Sequence, residues 1–85
     1  MVKHYFEEER KRILLREDET ESELKILEET LEMLETAELV QEEKEELSRY
    51  IVGQQERNHS RLDLLAKRKA AVLRILEVCS ITDIL

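Results

Sequence analysis

LETAELV, residues 34–40, is where the hydrophobic seam of this 85-residue chain slips out of phase, and the slip decides between a hairpin and a rod. Upstream, Phe6, Ile13, Leu24, Leu27, Leu31 and Leu34 fall on steps of three and four, with Arg10, Glu17 and Thr20 in the same register. A seven-residue repeat of this kind is the pattern of one helix packed along another. After Leu34 the next strong seam residue is Val40, one position too early to keep the phase. Thr36 stands in the gap as an N-cap candidate for a second helix. The slip therefore predicts a chain reversal at about residues 35–38. No Gly or Pro marks that turn, so a single uninterrupted rod is the competing reading.

Working outward, the first helix is expected over about residues 3–35. Glu7–Lys11, Glu8–Arg12 and Glu21–Lys25 place an acid four positions before a base, each pair worth a few tenths of a kcal/mol. The weak segment is Glu17 to Glu23, where Thr20 and Glu23 spell a capping box at which the helix could restart. The unbroken phase of the seam favours continuity. The second helix is expected over about residues 38–79, roughly 40 residues and ~60 Å long. Its seam reads Val40, Leu47, Ile51, Gln54, Asn58, Leu62, Leu65, Lys69, Val72, Leu76 and Cys79. The two successive steps of four around Asn58 form a stutter. Just before it stands Gly53, the one glycine, which costs about 1 kcal/mol relative to Ala in a helix. It suggests either close packing or a bend; a tolerated surface glycine is the alternative.

The expected fold is all-α: two long antiparallel helices forming a coiled-coil hairpin in a single domain, assembling into a four-helix-bundle dimer. Reversal at 35–38 sets Leu27 opposite Leu47, Leu24 opposite Ile51 and Ile13 opposite Leu62. Thr20 then meets Gln54, and Glu17 comes near Arg57 and Asn58, so the polar breaks of the two seams face each other. Val2 would reach Val72, leaving residues 73–85, including an apolar tail at 80–85, without a partner inside the hairpin. Burying one large apolar side chain is worth ~1.5–3 kcal/mol, so an exposed run of them marks an interaction site. Leu73, Leu76, Val78, Ile81, Ile84 and Leu85 are the expected partner-binding residues.

Charge divides the chain in the same way. Residues 17–46 hold 14 acidic and 2 basic side chains, within a total net charge of −7, and both flanking segments are mildly basic. In a hairpin the acidic middle becomes the turn end and the basic segments gather at the open end. An antiparallel dimer would set acidic tips beside basic open ends, whereas a parallel one would stack the overhangs directly. Charge slightly favours the antiparallel arrangement.

Candidate chemistry is sparse. Glu56 and His59 form a Glu-x-x-His spacing, which with Glu17 on the facing helix is the ligand pattern of di-iron carboxylate bundles. A metal-binding bundle of that type is the alternative to an interaction module. Against it, acidic residues are so abundant that one lying three positions before a His carries little information. Cys79, the one cysteine, lies on an apolar face and reads as packing, and His4 as solvated. No nucleophile–base pair, Gly-rich phosphate loop or Cys/His cluster occurs, so no enzymatic activity and no cofactor are expected. Arg61, Lys67, Arg68, Lys69 and Arg74 make a basic stretch, but the pI is about 4.9 and Tyr5, Phe6 and Tyr50 are too scattered to stack bases. Nucleic acid is accordingly not an expected partner.

No run is apolar enough to span a bilayer, and charged residues interrupt the first fifteen positions, so a cytoplasmic or other intracellular setting is expected. The reading is a non-enzymatic protein–protein interaction module (an adaptor, a small chaperone or a regulatory subunit). It would bind through the apolar C-terminal helix face, to itself as a homodimer, to another helical protein, or to both.

Overall fold

The structure, a computed structural model, describes the backbone of residues 2–84 and the side chains of residues 2–80. Two helices, α1 (Val2–Thr36) and α2 (Gln41–Ile84), pack along each other as a hairpin about four times longer than wide, 68 × 15 × 14 Å. The chain is therefore folded back and is not a rod. α1 is continuous through residues 17–23. Thr20 caps nothing: its hydroxyl donates to the carbonyl of Arg16 at 2.7 Å, one turn back, and its side chain is buried. On the surface of α1 the pairs that form are spaced by three, Lys11 with Glu8 and Arg12 with Glu9, and not by the four read from sequence.

The turn occupies Ala37–Val40, two residues later than the sequence suggests. Thr36 closes α1 and its hydroxyl donates to Met33 at 3.2 Å, so it does not cap α2. That place falls to Val40, whose carbonyl accepts from Lys44 at 3.1 Å. Valine offers no side-chain oxygen there; Glu42 and Glu43 in the first turn supply the favourable charge at the helix N-terminus. No described residue has positive φ, so the reversal needs no glycine. α2 then continues as helix to Ile84, past Cys79, with no Gly or Pro after Gly53 to stop it.

Moving the turn moves the register. Ile13 packs with Leu65 and Val72, with Phe6 and Leu76 against them, rather than with Leu62. The buried residues of α2 are Ile51, Asn58, Leu65 and Val72, spaced strictly by seven, and those of α1 are Ile13 and Thr20, also seven apart. No stutter is needed at Asn58. The same heptad carried towards the turn runs through half-buried Gln55, Ser48 and Lys44. Leu47 and Val40, assigned to the seam from sequence, instead lie 42% and 63% exposed. The apolar core thus sits in the open half of the hairpin, and the half near the turn is held along a more polar seam.

Two features of α2 now have definite readings. A Cβ added at Gly53 would meet nothing within 4 Å, so close packing does not explain the glycine. Gly53→Ala should stabilise the fold by about 0.5–1 kcal/mol through helix propensity alone, seen as a higher midpoint in chemical denaturation. Asn58 is 2% exposed and its amide Nδ2 has no hydrogen-bond partner. Leaving such a group unsatisfied costs about 1–3 kcal/mol. Asn58→Leu should recover an amount of that order, and a lowered midpoint would refute the reading.

Candidate interaction surface

An ionic cross-link joins α1 to α2. Lys69, in the α2 seam, donates through Nζ to both carboxylate oxygens of Glu17, at 3.0 and 3.2 Å. Side chains lean towards the N-terminus of their own helix. In antiparallel helices the two therefore lean towards each other, and residues set more than a turn apart along the hairpin can meet. The Glu17 side chain is 16% exposed and that of Lys69 35%. This pair closes the core on one flank and engages both carboxylate oxygens of Glu17. Glu56 and His59 are both exposed, and among the described residues no three His, Cys, Asp or Glu side chains gather to hold an ion.

The residues expected to bind a partner divide into three groups. Leu76 is half-buried and belongs to the hairpin's own core beside Ile13 and Val72. Leu73 and Val78 are exposed, at 40% and 59%. Ile81 and Ile84 have side chains outside the described set, and Leu85 lies outside the described residues altogether. Leu73 and Leu76 line a shallow groove at the open end with Arg10, Glu77 and Ser80. Cys79 is a free, half-buried thiol nearby.

Arginines collect on the opposite flank. Arg12, Arg16 and Arg68 line a groove over Ile13 and Leu65, with Glu9 at its edge. Arg16 and Arg61 line the next groove, with Thr20, Glu19 and Glu23. Arg12 is occupied: it pairs with Glu9 at 2.9 Å and lies over the Tyr5 ring, 5.9 Å from its centre. Among the described residues Arg16, Arg61 and Arg68 make no ion pair. Towards the turn the same α2 flank carries Glu43, Glu46, Leu47 and Tyr50, which frame a mostly apolar hollow. Tyr50 is 65% exposed.

Comparison with known proteins finds no match. No protein family fits the chain, and neither a curated protein nor a solved structure is similar to it. No helix among the described residues is long and apolar enough to cross a membrane.

The apolar residues at the turn end are the part that sequence reading missed. Placing Leu47 in the seam hid it, and only the strict seven-residue spacing back from Asn58 through Ile51 would have exposed the error. For the Glu17–Lys69 link, a double-mutant cycle with Glu17→Gln and Lys69→Met should give a coupling of about 1 kcal/mol, measured by chemical denaturation. Zero coupling would mean that the pair is not formed in solution.

Proposed function

We propose that this protein is a non-enzymatic interaction module that associates by helix packing, using the apolar side chains its hairpin leaves uncovered at the open end of α2. One observation carries the reading. Among the described residues four hydrophobic side chains are buried and fourteen large ones are exposed. Exposed apolar residues are ordinary on any surface, but here they outnumber the core.

The accessible surface supports the same view. The chain exposes 6984 Å², against about 5300 Å² for a compact monomer of its mass. The excess in one chain is about twice the ~800 Å² that each partner contributes to a standard interface. Covering Leu73, Val78 and their neighbours with a partner helix supplies the missing third and fourth walls of a bundle. A homodimer is the simplest such assembly for a chain of this length.

Cutting the chain after Val72 would remove Leu76 and damage the hairpin itself. The informative variant is the full chain carrying Leu73→Glu and Val78→Glu, which touches exposed positions only. Sedimentation equilibrium should show the unaltered chain above its monomer mass of 10.2 kDa and the variant shifted towards it. Circular dichroism should show equal helicity. If both chains sediment as monomers up to millimolar concentration, the proposal fails.

A further inference from the structure

Resting on the reading of this chain as an interaction module, but using the flank opposite the Leu73 groove, we infer that the partner is a second copy of this chain lying antiparallel, the turn end of each hairpin seated on the arginine-bearing flank at the other's open end. The inference comes from one flank of the molecule, read from end to end. Along α2, Glu43, Glu46, Tyr50, Arg57, Arg61, Leu64, Arg68 and Ile75 succeed one another at mostly helical steps of three, four and seven. They therefore share a stripe beside the seam. On α1 the matching stripe is Tyr5, Glu9, Arg12, Arg16, Glu19 and Glu23. The grooves already described confirm that the two stripes border the same side of the hairpin.

This flank changes sign at its middle. From the Thr20–Asn58 level to the open end it carries Arg12, Arg16, Arg61 and Arg68 against Glu9 and Glu19, beside apolar Leu64 and Ile75, and is net positive. Towards the turn it carries Glu23, Glu43 and Glu46 against Arg57, beside Leu47 and Tyr50, and is net negative. Thr20 and Asn58 lie near the midpoint of their helices, Val2–Thr36 and Gln41–Ile84. Turning a second copy by half a rotation about an axis that lies in the face at that level and runs across the helices lays residues 43–50 of each chain along residues 66–73 of the other. Every negative half then faces a positive half, twice over, and the exposed turn-end side chains meet those of the open end. The surface is complementary to itself, as a two-fold interface requires.

Two further observations favour this arrangement over a parallel one. A parallel pair would bring two acidic tips together in a chain whose residues 17–46 carry 14 acidic against 2 basic side chains. It would also leave Leu47 (42% exposed) and Tyr50 (65% exposed) without the basic, apolar surface that matches them. The face is large enough: 68 × 15 Å is about 1,000 Å² per copy, above the ~800 Å² per partner of a standard interface. Among the described residues Arg16, Arg61 and Arg68 make no ion pair, which leaves them to the carboxylates of a second copy.

Charge exchange tests this directly on the full-length protein. One variant carries Arg61→Glu and Arg68→Glu, the other Glu43→Arg and Glu46→Arg. All these positions lie outside the buried core, and circular dichroism of each variant checks that the fold is kept. Sedimentation should show each variant's self-association weakened at least tenfold, and an equimolar mixture should recover association as a mixed dimer, because both contacts then pair opposite charges. The unaltered dimer should weaken between 50 and 500 mM salt. If the unaltered chain dimerises but neither variant changes it, the antiparallel face is wrong while the interaction module stands. If Glu43→Arg with Glu46→Arg strengthens the dimer, the copies are parallel. A strictly monomeric chain overturns both this inference and the function it rests on. So does a chain that stays monomeric alone but binds a DNA or RNA duplex through Arg61 and Arg68.

Discussion

Two helices lying side by side can hide only one stripe of each from water, and the rest of this structure follows from that limit. The stripe is narrow: Ile13, Leu65 and Val72, flanked by Phe6 and Leu76, form the one cluster of buried apolar residues, and Ile51 is buried apart from it. A third and a fourth helix would be needed to shelter the flanks. The chain has no further segment among its described residues to supply them. Its apolar residues therefore divide between a core that makes the hairpin and a surplus available to bind outward.

The polar layer at Thr20 and Asn58 has a place in the same scheme. Both side chains are almost wholly buried, at 3% and 2% exposure. Thr20 satisfies itself by bonding back to its own helix, and Asn58 leaves a donor unpaired. Because the Asn58 donor is unpaired in the register the chain adopts, this residue weakens packing without rewarding that alignment. In a chain whose turn carries no special residue, the packing of Ile13 against Leu65 and Val72 and the Lys69–Glu17 link hold α1 in place on α2.

Much of the fold was legible in the sequence. Helix against helix, the reversal between Leu34 and Val40 and the continuity of α1 through Thr20 all follow from a seam that kept or lost its phase. The register was not legible, and the reason is local. Leu47 and Val40 are strong apolar residues at plausible spacing, whereas the positions that face α1 are Ser48 and Lys44. Near the turn, composition pointed one way and the seven-residue spacing from Asn58 and Ile51 the other. Spacing prevailed, because the helix cannot rotate locally without unpacking Leu65 and Val72 farther along. The overhang was not legible: Leu73 and Val78 are exposed, but Leu73 lines a groove with Arg10 and does not lie past α1, and Leu76 belongs to the core. The turn-end residues were hidden by that same error of register.

The turn itself bears on how firmly the chain is committed to closing on itself. Ala37–Val40 is built entirely from residues with ordinary negative φ, and nothing in its stereochemistry forbids a straight helical path through it. The hairpin is therefore kept shut by its seam and not by its hinge. If the hinge straightened in two molecules at once, each α2 could lie on the α1 of its neighbour and remake every contact, including Ile13 on Leu65 and Lys69 on Glu17. The closed hairpin and the exchanged pair would then differ chiefly in the conformation of four residues and in protein concentration.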